Sequence, residues 1–246
     1  MKFKFIAAPR IGRLEQITNW LKEESENNGC GFYCNITVIN KAFADKEVVC
    51  ITFKNKAIGF AVFTRHRCTA RIDIAEICPS YRGSGAGKFL VESCLQRFAK
   101  LNIRVVDLEC APRSSESFWC RMGFYRVPDE TLQNYSQHNK PVRMFRPTCQ
   151  IQNQKHLHDK SENTIELFDC RIWECEGREP RWCWPIFTLS GTEELDKPII
   201  HPAHRDWCVR WKKEDKIMKM DEVKHFCNDS LNWGDYLILT QLPRIS

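Results

Sequence analysis

"AEICPSYRGSGAGKFLVESCLQRFAK", residues 75–100, packs a proline, an arginine and three glycines directly ahead of an amphipathic run. A chain places glycines before a helix for one of two reasons. Either the backbone must turn through conformations that a Cβ forbids, or something must approach that backbone closely. Upstream, "RIDIAEI" (71–77) alternates as a half-buried strand should. Downstream, the apolar residues from Gly87 to Lys100 recur at helical spacing. The stretch therefore reads as strand, glycine loop, helix. The first turn of a helix leaves N–H groups without partners, and with the helix dipole these favour an anion. The amides from Gly83 through Ser84, Gly85, Ala86 and Gly87 to Lys88 thus form a candidate phosphate cradle, to which Arg82 and Lys88 add charge.

Two familiar phosphate loops fail here. A Walker A loop needs GxxxxGK[ST], and no Lys-Ser or Lys-Thr pair follows a glycine in this stretch. A dinucleotide fold needs GxGxxG early in its first βαβ unit, whereas this GxGxG lies mid-domain.

The flanking pattern extends the reading. "KFKFIAA" (2–8) reads as a strand and "GRLEQITNWLKEESE" (12–26) as an amphipathic helix. "NITVINKAFAD" is a further helical piece. Residues 46–67 read as two strands joined by a tight turn at 54–56, with Gly59 marking a bulge. "IRVVDLEC" (103–110) is a nearly continuous apolar strand suited to a central position. "SSESFWCRMGF" (114–124) is a short helix capped by Ser114 or Ser115 and stopped at Gly123. "FYRV" and "PVRMFRP" form a closing antiparallel pair.

Beyond Pro147 the texture changes. "TCQIQNQKHLHDKSEN", which carries His156 and His158, reads as a linker or long loop. "TIELFDCRIWECEG", "RWCWPIFTL", "DWCVRWKKEDKIMKM" and "DYLILTQL" read as aromatic-rich strands, with a short helix at "MDEVKHFCNDSL". The chain is thus expected to hold two domains, 1–148, in which strands and helices are interspersed, and 149–246, small and mostly β.

Charge divides at about the same place. Residues 1–128 carry 20 Lys+Arg against 12 Asp+Glu, and residues 129–246 carry 17 against 19. A basic first half suits a polyanionic ligand, a phosphorylated cofactor or a nucleic acid. No run approaches the ~18 apolar residues of a membrane span, and the N-terminus reads as a first strand rather than a leader. Fourteen cysteines without one CxxC pair, many inside apolar runs, fit free thiols in a reducing cytoplasm better than a disulfide scaffold.

Arg82-x-x-Gly85-x-Gly87, with the strand before it, the helix after it and Met122-Gly123-Phe124 some 35 residues later, resembles the GNAT superfamily of acyl-CoA N-acyltransferases over residues 1–148. The resemblance implies an α+β fold over 1–148, a mixed, highly twisted sheet with helices on both faces, in which two neighbouring parallel strands splay apart and coenzyme A docks in the cleft. It implies an acetyl-CoA co-substrate and a primary-amine acceptor, whether a small molecule, an aminoacyl group or a protein. It places the acyl carbonyl and pantetheine arm near Ile77 and Cys78, the pyrophosphate on the loop amides, and Ser114 or Ser115 where the family often has an asparagine touching the cofactor. The amine's proton needs a carboxylate, for which Asp73 and Glu76 are the candidates. They differ in parity and so face opposite sides of a regular strand. Trp119 departs from the tyrosine that many members use as acid, since an indole N–H gives up no proton at useful pH. As a core residue or cleft wall, it leaves the acid unassigned.

No metal is expected. His201-x-x-His204-x-x-x-Cys208 with Cys170, Cys175 or Cys183 has some character of a zinc site, but the usual paired CxxC is missing and "IIHPAHRDW" reads rather as a plain loop into the strand "DWCVRW". Trp173, Trp182, Trp184, Trp207 and Trp211 read as core or as an interface face, shaping the acceptor pocket or a homodimer. A tRNA-linked acceptor is a lesser variant. The competing reading is a non-catalytic module that binds CoA while the C-terminal domain does the work.

Overall fold

The computed structural model describes residues 1–29, 31–128, 141–154, 163–214, 216–226 and 235–243. The chain separates into two units, one made of Met1–Arg126 with Asn139–Thr148 and one of the remainder. His156 and His158 lie outside the described residues, as does the end of the "MDEVKHFCNDSL" segment.

The first unit is built on seven strands: β1 (Lys4–Ile6), β2 (Val48–Phe53), β3 (Lys56–His66), β4 (Thr69–Ile77), β5 (Val105–Cys110), β6 (Tyr125–Arg126) and β7 (Val142–Pro147). They line up in the order β1-β2-β3-β4-β5-β7-β6. Every neighbouring pair is antiparallel except β4 with β5. The 54–56 turn is set by positive φ at Lys54 and Asn55, the pair of left-handed residues that a two-residue hairpin loop needs.

Helices cover both faces. α1 (Ile11–Asn28) and α2 (Ile36–Ala44) lie on one side, where Leu14, Ile17, Trp20, Leu21 and Ile39 pack on Cys50, Phe60, Val62 and Ile74. α3 (Ala86–Lys100) and α4 (Glu116–Arg121) lie on the other, where Leu90, Val91, Phe98 and Trp119 pack on Ile51, Phe63, Ile72 and Val106. Each fully buried Leu, Ile or Phe here is worth about 1.5–3 kcal/mol over exposure. Two such layers close the sheet, with no disulfide among the described residues. The twelve described cysteines are all free thiols. Among the described residues no helix is long and apolar enough to cross a membrane.

Two irregularities position the site. β4 and β3 lose register between Val62↔Ile74 and Phe63↔Ile72, which leaves Asp73 as an extra residue. This bulge reverses the strand's facing: Ile72 packs on the α3 side and Ile74 on the α1 side. Glu76 follows the parity of Ile74. The second irregularity is the end of pairing between β4 and β5 at Ile72↔Leu108. Beyond it β4 runs on to Ile77 and β5 to Cys110, so the two parallel strands splay as the sequence resemblance implies.

The bulge in β3 falls at Ile58 rather than at Gly59, because Ile51 pairs with Gly59 and Thr52 with Ala57. Gly59 has another duty, opposite Ile77 in β4.

The second unit holds β8 (Asn163–Phe168), β9 (Trp182–Pro185), β10 (Glu194–Pro202), β11 (Cys208–Lys213), β12 (Lys216–Glu222) and β13 (Tyr236–Gln241), with a short α5 (Val223–Phe226). They form a β12-β11-β8-β9 sheet and a β10-β13 pair. Three sequence expectations are corrected here. "TIELFDCRIWECEG" is a strand only to Phe168, after which Ile172–Glu174 forms a 3-10 turn. "DWCVRWKKEDKIMKM" is a hairpin, not one strand, with Glu214 at positive φ in its turn. "IIHP" is not loop but the end of β10.

Trp182, Trp184, Trp207 and Trp211 are buried, while Trp173 is exposed. His201 lies against Trp182 and Trp184, and burial pushes its imidazole down to about 4. His204 instead faces Asp206, and Cys208 joins Cys170 and Cys175 in a buried thiol cluster. Three of the candidate zinc ligands, the thiols, thus meet, while His201 and His204 have other partners. Among the described residues no group of three His, Cys, Asp or Glu side chains is placed to hold a metal ion.

A Cβ on Gly59 would stand 2.4 Å from Ile77 Cδ1 and 3.1 Å from the Glu76 carbonyl oxygen. Gly59→Ala is expected to cost about 1–3 kcal/mol, as overpacking of a filled core does, measured by urea unfolding. An unchanged midpoint would show that the β3–β4 contact has slack.

Candidate active site

The site grows out of the end of β4. Cys78 donates its N–H to the Ile58 carbonyl at 2.9 Å, so it is still held by β3. In an antiparallel pair, residues alternate between facing the partner strand and facing away. The main-chain groups of Ile77 consequently point away from β3, toward the splay. Of the two expected contact residues, Cys78 has its N–H engaged by β3, and Ile77 carries the N–H that faces the splay.

Side chains now occupy both Ile77 groups. Glu76 Oε1 accepts the Ile77 N–H at 3.0 Å. Arg82 Nε donates to the Ile77 carbonyl at 3.0 Å. The same guanidinium reaches two carboxylates through its second nitrogen, Glu24 Oε1 on α1 at 2.6 Å and Glu76 Oε1 at 2.9 Å. Arg82 thus forms a clamp joining α1, β4 and the loop. Burial raises the Glu76 carboxyl above its ordinary 4.5, against the opposing pull of the Ile77 N–H and Arg82.

The glycine loop resolves the question raised by its sequence. Gly83 and Gly85 have φ of 74° and 86°, and a Cβ at either would meet nothing within 4 Å. They are there for the turn, and the space beside them is open. At Gly87 a Cβ would make only ordinary contact, 3.4 Å from the Phe118 ring, so neither crowding nor a left-handed φ demands glycine there. Within the loop, the Arg82 N–H goes to Pro79 and the Ser84 N–H to Tyr81, whose carbonyl also takes the Ser84 hydroxyl. The N–H groups of Gly83, Gly85, Ala86, Gly87 and Lys88 have no acceptor among the described residues. Five bare donors therefore surround the N-terminus of a fifteen-residue helix. The Lys88 ammonium lies 3.8 Å from Glu92 on the exposed side of α3.

Other expected residues fall elsewhere. Asp73, the bulge residue, is exposed and accepts the Thr64 hydroxyl at 2.7 Å. Partial desolvation raises its carboxyl above the ordinary value. Ser115 stands at the β5 end, its hydroxyl bonded to the Pro112 carbonyl at 2.8 Å and 3.3 Å from Cys110 Sγ. Trp119 is buried between Phe118 and Phe124, edge-on to both, as a core residue. Sequence reading missed Glu24. It is 6% exposed, and no local pattern marks a carboxylate inside an amphipathic helix as the partner of an arginine 58 residues on.

Residues 14–124 match the model of the acetyltransferase (GNAT) family. Matched solved structures include Ard1 from Thermoplasma volcanium, 17% identical, covering 61% of this chain and 100% of that one with a TM-score of 0.47. The ribosomal-protein-S18-alanine N-acetyltransferase from Escherichia coli is 13% identical, covering 61% and 96% with a TM-score of 0.48. N-acetylglutamate synthase from Neisseria gonorrhoeae, complexed with coenzyme A and N-acetyl-glutamate, is 13% identical, covering 61% and 36% with a TM-score of 0.48. No curated protein matches the sequence.

Removing the clamp should leave the Glu24 charge buried and unpaired. Losing one partner of a buried pair costs about 3–5 kcal/mol, and the half-exposed guanidinium discounts this to about 1–3 kcal/mol for Arg82→Met. Arg82→Lys is expected to recover only part of the loss, because an ammonium lacks the planar fork. Denaturant melts of the two variants at wild-type stability would show that the clamp contributes nothing to the fold.

Proposed function

We propose that the chain is an N-acetyltransferase that moves an acetyl group from acetyl-CoA to a primary amine by direct attack. The observation that carries the reading is the set of five unpartnered amides at the glycine loop, beside a splayed parallel strand pair, in a stretch that matches the GNAT family model. The amides of Gly83, Gly85, Ala86, Gly87 and Lys88 hold the pyrophosphate of the co-substrate, with the α3 dipole behind them. Ile77, with its cleft-facing N–H and C=O, holds the thioester arm and steadies the carbonyl oxygen as negative charge develops on it.

Glu76 is the base in this reading and Asp73 is not. Glu76 touches the Ile77 N–H, whereas Asp73 is turned to Thr64. Once co-substrate takes the Ile77 N–H, the Glu76 carboxylate is released to accept the proton of the attacking ammonium, directly or through water. The amine nitrogen then bonds to the acyl carbon, the carbon–sulfur bond breaks, and the nitrogen gives up its second proton through solvent to the departing thiolate. A thiol of ordinary pKa near 8.5 needs no strong acid, which fits the burial of Trp119. Ser115 has no part here, its hydroxyl being committed to Pro112. The free thiols fit a reducing cytoplasm.

Release of free thiol from acetyl-CoA, followed with a panel of primary amines, tests this directly. A base works only as the carboxylate, so kcat/KM is expected to fall as pH drops through the raised Glu76 pKa, placing the acid limb above 4.5. Glu76→Gln should lower kcat by about 100-fold or more and abolish that limb. CoA binding with no turnover of any amine would instead indicate a non-catalytic CoA-binding module.

A further inference from the structure

The end of the sheet opposite the glycine loop carries a second feature, independent of the acetyl-transfer reading. The hairpin between β3 and β4 closes there, with His66 paired to Thr69 and Arg67 at positive φ in the turn. Arg104, leading into β5, donates its main-chain N–H to the Cys68 carbonyl at 2.6 Å, which seats it beside that turn. The Phe63 and Phe98 rings meet edge-on with centroids 5.1 Å apart, so the last turn of α3 lies over the end of β3. That last turn carries Arg97 and Lys100. Arg65 pairs with Ala70, which belongs to the core on the α3 side, so Arg65 points to that side too.

Five cations therefore collect at one end of the first unit: Arg65, Arg67, Arg97, Lys100 and Arg104, with His66 exposed among them. Residues 62–72 and 93–106, which build this end, contain no Asp or Glu. Two acids, Asp45 and Glu47, lead into β2 at the same end. Among the described residues, Arg65, Lys100 and Arg104 form no ion pair. The C-terminus of α3 presents about half a negative charge, far less than the five cations bring.

What stands beside the cations selects their partner. Leu101 is the one large apolar side chain exposed in those two stretches. A membrane surface asks for several apolar anchors, a protein interface for an apolar or aromatic centre, and a single-stranded nucleic acid for a row of rings on which successive bases stack. None of these stands there. Four of the five cations are arginines, whose planar fork suits phosphate oxygens. With β5 and α3 alongside, the hairpin is no free ribbon to enter the major groove of DNA. Duplex RNA is instead recognised through phosphates and hydroxyls across a wide, shallow minor groove.

We propose that this end of the first unit is a docking surface for duplex RNA, whose phosphates are held by Arg65, Arg67, Arg97, Lys100 and Arg104. The cations spread across three neighbouring strands, about 10 Å, and onto the helix above them, enough to meet about four phosphates. Recognition is by shape and charge and not by base sequence.

The test is fluorescence anisotropy of a labelled RNA duplex of about 20 base pairs with the full chain. About four phosphate contacts should weaken binding about 100-fold between about 50 and 200 mM salt. Arg65→Glu combined with Arg104→Glu should lower the affinity about tenfold or more and flatten the salt dependence. Lys22→Glu combined with Lys41→Glu, an equal charge change on α1 and α2, should do neither. Single-stranded RNA, a DNA duplex of the same length, polyglutamate, and phosphatidylcholine vesicles containing phosphatidylserine should each bind about tenfold more weakly or worse. Equal binding by any of these four, equal losses in the two double variants, or no binding of the RNA duplex at low salt would overturn the inference. Should the arginine variant not fold, phenylglyoxal labelling of the wild-type protein is the measurement: bound duplex should shield Arg65 and Arg104, and unchanged labelling would overturn the inference. Thiol release from acetyl-CoA with small amines is read separately, so this surface and the acetyl-transfer reading stand or fall independently.

Discussion

Main-chain donors and acceptors inside a protein must find partners, and a parallel strand pair that stops pairing midway leaves some without. That constraint governs the first unit. β4 and β5 part after Ile72 and Leu108, so the Ile77 N–H and carbonyl face the splay with no strand to bond. Two side chains meet the need, Glu76 for the donor and Arg82 for the acceptor. Those two are joined by an ion pair, and Arg82 carries the link to Glu24 on α1. The proposed chemistry is an exchange on these same atoms: a thioester arm takes the Ile77 groups, and the carboxylate that held one of them becomes free to accept a proton.

The loop after β4 applies the same logic in reverse. Here donors are left bare instead of being filled. Positive φ at Gly83 and Gly85 carries the chain into α3 so sharply that five N–H groups find no acceptor. The Phe118 ring of α4 lies in ordinary contact range of Gly87 at the first turn. The glycines at 83 and 85 serve the turn, and its open side is where an anion can approach.

Much of this was legible in the residues. The alternation of "RIDIAEI", the glycines and the helical spacing that follows identify strand, loop and helix because each is a local requirement. The bulge at Asp73 was not legible, since the alternation runs through it unbroken. Only the register with β3 reveals that Glu76 faces α1. The Arg82 clamp was hidden for a similar reason, its partner being distant in sequence. An arginine beside a phosphate loop suggests phosphate, and only the fold shows its ion pairs with two carboxylates. In the second unit, the "KKEDK" turn carries no glycine or proline, with Glu214 taking the left-handed conformation instead. Pro198 within β10 likewise disguised a strand as a loop.

The central claim is that specific amides at the start of α3 receive the phosphates of coenzyme A. Backbone ¹H–¹⁵N spectra of the labelled protein, recorded while CoA is titrated in, address those atoms one by one. The account predicts that the resonances of Gly83, Gly85, Ala86, Gly87 and Lys88 move most, with Ile77 among the affected strand residues and Cys78 less so. Saturating CoA that leaves those five unmoved, or that perturbs a different surface, would contradict it.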